Sequence, residues 1–201
     1  MKHAVLALML LAGSATTALA QRTHAIKLNV LSTGVRTASL FYEHKVRERG
    51  SAQLGLALTS LGSGDNRLSG VTLTPEYRFY LSGQALDGFY VAPFVRFRSF
   101  KMTAPSNQFD QYGNPSTEIY TGRTQTFGGG VVAGYQWLIS ERLTLDVYGG
   151  LSHSFSSFSS KEGISAGEFD DYSRLSGVGL SFSRMFSNTG LRSGFTFGVA
   201  F

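Results

Sequence analysis

A two-residue period runs along nearly the whole chain. In VTLTPEYRFYL the odd positions hold Val71, Leu73, Pro75, Tyr77, Phe79 and Leu81, while Thr72, Thr74, Glu76 and Arg78 fall on the even ones. FYVAPFVRFRS sets Phe89, Val91, Pro93, Val95 and Phe97 against Ala92, Phe94, Arg96 and Arg98. QLGLALTSL places Leu54, Leu56 and Leu58 opposite Gln53, Gly55, Ala57 and Thr59, and LTLDVYGGL places Leu143, Leu145, Val147 and Leu151 opposite Thr144, Asp146 and Tyr148. SGFTFGVAF closes the chain with Phe195, Phe197, Val199 and Phe201 against Gly194, Thr196, Gly198 and Ala200. Side chains alternate across a strand, so each segment has one large apolar face and one face of small residues and isolated charges.

A soluble sandwich also alternates, with one face wet. Two features favour a membrane barrel. Aromatics cluster at strand ends, as an interfacial girdle needs, and the other face is small and sparsely charged, as a narrow lumen needs. The pattern predicts strands over residues 25–33, 36–46, 50–61, 70–81, 88–101, 123–139, 142–155 and 190–201. That is an all-β chain, an eight-stranded antiparallel up-and-down transmembrane β-barrel with long extracellular loops. The connections VRERG, SGQALDG and SER are short, whereas those between Leu61 and Gly70, Met102 and Arg123, and Phe155 and Tyr172 are longer and polar. Bacterial barrels keep short turns in the periplasm, so the longer segments are assigned to the cell exterior. The piece from Tyr172 to Phe186 is placed in the last external loop, because a ninth strand would break parity. Proline removes a ladder donor and is confined to edges or bulges. Pro75 and Pro93 share the lipid-facing parity on consecutive strands and are expected to face one another at a single break in the ladder.

Residues 1–20 carry one lysine, an apolar run from Ala4 to Ala12, and Ala18-Leu19-Ala20, the form of a cleaved export signal. The barrel domain is then residues 21–201. Cleavage removes Lys2 and no acid, lowering the formal charge from +5 to +4. The basic residues are scattered over strands and turns, which gives no footprint for nucleic acid. There is no cysteine, so the exported chain is stable without disulfides. Beyond the leader no apolar run is long enough for a transmembrane helix. Phe 16, Tyr 9 and Gly 24 against only 15% charged residues again suit a barrel in lipid.

The strings IKLNVLSTGVRTASLFYEHKV, TPEYRFYL, GFYVAPFVRFR, GGGVVAGYQWLISERLTLDVYGG and GLRSGFTFGVAF resemble a family of small outer-membrane barrels of Bacteroidetes, catalogued as a domain of unknown function. The resemblance covers most of Ile26 to Phe201, with Leu175 to Asn188 as an insertion relative to it. It implies an architecture similar to OmpA and OmpX and transfers no catalytic motif.

Even parity sends Glu76, Arg78, Arg96, Arg98 and Asp146 inward to join Lys27, Glu43 and Gln136. Charges of both signs in a narrow interior are tolerable only when paired, so a structural ion-pair plug is the expectation, with a ligand or proton pathway as the alternative. Some eight-stranded barrels modify lipid A with a histidine, a serine and an acid on the lipid-facing side. His153 has that parity, but Ser152 and Ser154 point to the opposite face, so His153 and His44 are read as interfacial residues. Gly128 to Gly130 lies inside a strand, with no following helix or lysine, and permits close approach rather than cradling a phosphate. Four scattered histidines offer no metal site, and Glu168, Asp170 and Asp171 are read as solvated loop acids rather than a weak calcium site. No catalytic residue, cofactor or metal is expected. The expected function is structural or surface-interacting, with a lipid-A-modifying enzyme and a narrow small-solute channel as alternatives. Expected partners are outer-membrane lipid and lipopolysaccharide, the barrel-assembly machinery through the strand ending at Phe201, and an unidentified extracellular ligand at the loops. N-terminal sequencing of the exported protein should begin at Gln21, and an intact Met1 start would exclude the leader.

Overall fold

A computed structural model describes residues 22–33, 36–63, 66–109, 115–140, 142–160 and 189–201. The expected leader over 1–20 and the segment 172–186 lie outside the described residues. The elements run β1 (His24–Asn29), α1 (Val30–Thr33), β2 (Thr37–Arg47), β3 (Gly50–Ser63), β4 (Asn66–Tyr80), β5 (Gly88–Phe109), β6 (Pro115–Ile139), β7 (Leu143–Ser160) and β8 (Thr189–Ala200). Each strand pairs antiparallel with its neighbours, and β1 closes the ring on β8 through pairs such as Lys27 with Gly198. Closure leaves no free sheet edge, as a strand-built membrane crossing requires.

Burial follows the alternation. On β2, Ser39, Phe41 and Glu43 are buried while Leu40 and Tyr42 are exposed; on β4, Thr74, Glu76, Arg78 and Tyr80 are buried while Leu73 and Phe79 are exposed. Polar and charged groups line the inside, and Leu54, Leu56, Val95, Phe97, Val131, Val147 and Phe197 cover the outside. A water-soluble protein would invert this arrangement. An apolar wall around a charged interior identifies an outer-membrane, multi-pass β-barrel.

Three expectations need correction. The first strand ends at Asn29 rather than 33, because the Asn29 side chain accepts from the Ser32 amide (3.3 Å) and the Ser32 hydroxyl donates to the Asn29 carbonyl (2.9 Å), capping the short α1. The stretches assigned to loops at Leu61–Gly70 and Met102–Arg123 are largely strand: β3 runs to Ser63, β4 starts at Asn66, β5 runs to Phe109 and β6 starts at Pro115. Beyond the bilayer both faces of a strand meet water, so the hydrophobic alternation that marks a strand disappears there. A membrane crossing takes about 9–11 residues, whereas β5 has 22 and β6 has 25, so this hairpin projects well past the lipid.

The prolines are the third. Both side chains are outward and exposed. The β4–β5 register of Leu73 with Phe97 and Glu76 with Phe94 sets Pro75 level with Val95, and Pro93 level with Tyr77. They are therefore diagonal neighbours and do not face one another. The β3–β4 ladder runs unbroken through Leu54 and Pro75, and the β5–β6 ladder through Pro93 and Val131. The gaps fall on the seam between β4 and β5, where the missing proline donors leave pairs unmade.

Trp137, the one tryptophan, is outward on β6, 40% exposed, with its ring 4.6 Å from that of Tyr135. In lipid vesicles its fluorescence should be quenched by phospholipids brominated on their acyl chains. Emission insensitive to those lipids would contradict the lipid-facing assignment.

Candidate functional site

The lumen is filled in layers, and the middle layer holds the charges. Lys27 on β1 donates from Nζ to Glu43 Oε2 on β2 at 2.5 Å and to Gln136 Oε1 on β6 at 3.1 Å, and lies 3.4 Å from Asp146 Oδ2 on β7. Arg78 on β4 donates from Nε to Glu76 Oε1 (2.7 Å) and from Nη1 to Asp146 Oδ2 (2.8 Å) and Gln136 Oε1 (2.8 Å), with Glu43 Oε2 3.6 Å away. Arg192 on β8 reaches Glu76 Oε2 at 2.7 Å, an ion-pair contact whose approach is off the line of a good hydrogen bond. Gln53 Nε2 on β3 donates to Glu76 Oε1 at 2.7 Å, and the Ser51 hydroxyl donates to Glu43 Oε1. The Tyr80 hydroxyl donates to Glu43 Oε1 (2.8 Å) and lies 3.0 Å from Gln136 Oε1, and that of Tyr90 on β5 donates to Asp146 Oδ1 (2.8 Å).

Every one of the eight strands contributes to this cluster, and its three cations and three carboxylates balance. Lys27, Glu43, Arg78 and Asp146 are fully buried. An ion taken out of water loses several kcal/mol of hydration, recovered only when opposite charges and hydrogen bonds surround it. Here each carboxylate meets two cations and also accepts a hydrogen bond from a tyrosine, serine or glutamine. Aromatic faces complete the shell: Arg78 lies 4.2 Å from the Tyr90 ring centroid, and Arg192 lies 4.4 Å from that of Phe94 and 4.9 Å from that of Tyr148. These rings have room because a glycine stands opposite. Gly134 pairs with Tyr90 and Gly194 with Tyr148, and a Cβ on Gly134 would lie 2.6 Å from the Tyr90 hydroxyl.

Apolar layers close both ends. On the short-turn side, the connection between β4 and β5 folds inward, burying Leu86 with Ala25, Ala200 and Leu138, and Ala85 in the cluster of Tyr80 and Tyr90. Gln84 and Asp87 exchange backbone hydrogen bonds (2.9 Å each), and Leu86 sits at φ 78, a left-handed conformation held because its side chain is 1% exposed. The outer end is filled by Leu68, Phe100, Met102 and Tyr120, with Leu61 and Phe158 against them.

Of the residues singled out in the sequence, Lys27, Glu43, Glu76, Arg78 and Asp146 meet in the central cluster together with Gln136. Arg96 and Arg98 also point inward, but nearer the outer end. Arg96 Nε donates to the Thr74 hydroxyl (3.3 Å) and its guanidinium lies 5.3 Å from the Phe94 ring centroid, while Arg98 Nη2 is 3.4 Å from Ser154 Oγ. Arg192 belongs to the cluster and was not anticipated, although its even position places it with Gly194, Thr196 and Gly198 on the inner face of β8. Tyr80, Tyr90, Ser51 and Gln53 were also missed; their inward parity was legible, their contacts were not. His153 is outward, 3.2 Å from the Thr189 hydroxyl and edge-on to Phe155, while Ser154 is buried inside. His44 stacks on His24 at the short-turn rim (4.5 Å), and His24 stacks on Phe201 (5.6 Å). Close approach at the glycine run is real: a Cβ on Gly128 would lie 2.5 Å from the Ser154 Cβ. Glu168, Asp170 and Asp171 lie outside the described residues.

The family described as "Protein of unknown function (DUF3575)" matches residues 5–170. The curated proteins contain no match to this chain. Among solved structures, a major outer membrane protein from Thermus thermophilus is similar at 15% identity and a TM-score of 0.47, over 90% of this chain and 100% of that one. CarO2 of Acinetobacter baumannii is similar at 12% identity and a TM-score of 0.41, over 92% of this chain and 99% of the other.

Glu76 is the anion that both Arg78 and Arg192 share. Glu76→Ala leaves Arg192 buried without that carboxylate and should destabilise the barrel by about 3–5 kcal/mol. The double replacement Glu76→Leu with Arg192→Leu should be less damaging than Glu76→Ala. Urea unfolding in lipid vesicles, followed by heat-modified gel mobility, measures both; an unchanged midpoint for Glu76→Ala would remove the ion-pair argument.

Proposed function

The chain belongs to the DUF3575 family of proteins of unknown function, and on that premise we propose a structural, surface-presenting role for it in the outer membrane, in the manner of OmpA and OmpX. The observation that carries this reading is the lumen. The charges of its central cluster, carried by five strands, neutralise one another, neutral side chains from the other three join them, and apolar side chains close it at both ends. Lys27, Glu43, Glu76, Arg78 and Asp146 act there as struts, holding strand register, with Arg96 and Arg98 bracing the outer part of the wall. A solute pathway needs binding groups that can release their cargo, and charges already held by counter-charges of the same chain are poor candidates.

Residues 1–20 serve as the export signal and 21–201 as the barrel. Lipopolysaccharide and phospholipid surround its apolar wall, and the closing strand β8 with Phe201 directly after it is the segment the assembly machinery engages. The projecting β5–β6 hairpin supports the surface role, since a wall needed only to span the bilayer has no use for strands of 22 and 25 residues. An extracellular ligand would be met there and at the connecting segments.

Purified wild-type protein in planar bilayers should give no large, steady conductance; such a conductance would move the assignment to a channel. Lipid A from cells with and without the gene should have the same mass, and a mass change would establish an enzyme instead.

A further inference from the structure

On the lipid-facing wall, residues fall into rows across adjacent strands. One row reads Leu73, Phe97, Phe127 and Phe155 on β4 to β7, all exposed, and is followed outward by a row that is apolar only at Val71. The next row toward the exterior reads Val71, Ser99, Gln125 and Ser157. The row beyond that reads Ser69, Lys101, Arg123 and Ser159, and Arg67 follows diagonally from Lys101, opposite Thr103. Arg67, Lys101 and Arg123 are all exposed. Among the described residues, these outward rows of β4 to β7 contain no carboxylate.

Lys101 and Arg123 are direct cross-strand partners. Like charges so placed repel, with Cβ atoms about 4.5–5.5 Å apart. An anion seated between them would convert that repulsion into attraction. Their height indicates which anion. They lie four residues beyond the Phe97 and Phe127 row, about 13 Å along the strand and about 9 Å along the membrane normal at the usual barrel tilt. That is the outer rim of the headgroup layer, from which long cationic side chains reach back to lipid phosphates.

We propose that Arg67, Lys101 and Arg123 form a docking site for the phosphate groups of an anionic glycolipid of the outer leaflet. The inference rests on the outer-membrane reading above and on the β5–β6 hairpin lying outside the cell. It assigns the lipid contact to one wall, β4 to β6; β7 offers only Ser157 and Ser159 at the same height. Guanidinium groups grip phosphate bidentately, and lysine adds a point charge, so three cations on adjacent strands fit a headgroup carrying more than one phosphate.

The test uses the full-length protein in detergent, titrated with diphosphoryl lipid A, with the same lipid A stripped of its phosphates, and with inorganic phosphate, binding being read by native mass spectrometry. Wild type should favour the diphosphoryl form at least tenfold, and single replacements should weaken it about fivefold each, the worth of one basic side chain near an anionic membrane surface. The triple variant Arg67→Gln, Lys101→Gln, Arg123→Gln should lose the preference while keeping its heat-modified gel mobility, since all three side chains are on the surface. Equal affinity for the two lipid A forms, or a preference that survives in the triple variant, would overturn the dock. Displacement of lipid A by equimolar inorganic phosphate would overturn its assignment to a lipid. Protein that fails to enter phosphatidylcholine vesicles would overturn the outer-membrane reading itself, whereas protein that enters them but shows no phosphate preference overturns only the dock.

Discussion

Charge enclosed in a space no wider than a few side chains is the constraint from which the rest of this barrel follows. An eight-stranded ring has room inside for side chains and little else. Into it the chain places Lys27, Arg78, Arg192, Glu43, Glu76 and Asp146, each of which loses most of its hydration. The arrangement holds because each ion finds opposite charge on another strand. Lys27 on β1 reaches β2 and β7, and Arg192 on β8 reaches β4. Such contacts exist only when all strands close at one stagger. Slipping one strand by a residue would swing its whole inward set to the lipid side, stranding the partners of Glu43 or Glu76 without a counter-charge. On the proposed reading the cluster is a register lock, adding specificity as well as stability.

The neighbours of the cluster serve the same constraint. Gly134 and Gly194 leave space for the Tyr90 and Tyr148 rings, those rings lie against Arg78 and Arg192, and the arginines hold Asp146 and Glu76. A chain of dependence therefore runs from small residues on one strand, through aromatic faces, to the ion pairs. Leu86 at the short-turn end and the Leu68, Phe100, Met102 and Tyr120 group at the other exclude water from this region. Exclusion strengthens every pair inside, because a low local dielectric raises the attraction between charges already in contact. The strained φ of Leu86 makes sense in that light. Glycine would relax the turn, but only a large apolar side chain closes the mouth.

The membrane-crossing parts of the fold were legible in the sequence because lipid on one side and a tight lumen on the other force strict alternation. Glu76 and Arg78 could be placed inside by parity alone, as could Lys27, Glu43 and Asp146. What parity could not supply was the stagger between strands, which decides who meets whom. Pro75 and Pro93 illustrate this: their outward direction was readable, but an offset of two residues separates facing from diagonal neighbours. Above the membrane the signal fails for a different reason. With water on both faces, Thr103 and Thr121 carry no trace of strand, and the continuation of β5 and β6 was read as loop. Arg192 lies inside the predicted strand 190–201 at inward parity, but a single cation near a strand start has no visible role until the stagger brings it to Glu76.

A core settled in this way leaves chemistry to the outside. Lumen groups that are already paired cannot exchange partners without breaking the register they hold, so new interactions must be made by positions that the barrel does not need for closure. Two sets qualify. The projecting ends of β5 and β6 are held by an unbroken ladder from Lys101–Arg123 up to Phe109–Pro115. The outward rows just beneath carry cations where an uncharged polar residue would satisfy the strand equally well. Direct opposition of Lys101 and Arg123 is unfavourable for the isolated barrel, and a third, negative participant would relieve the mutual repulsion. The central cluster thus shows charge balanced within the chain, whereas Lys101 and Arg123 at the outer rim are set side by side with no carboxylate in their described rows. That contrast is the ground for proposing the site of interaction on the wall and hairpin rather than in the lumen.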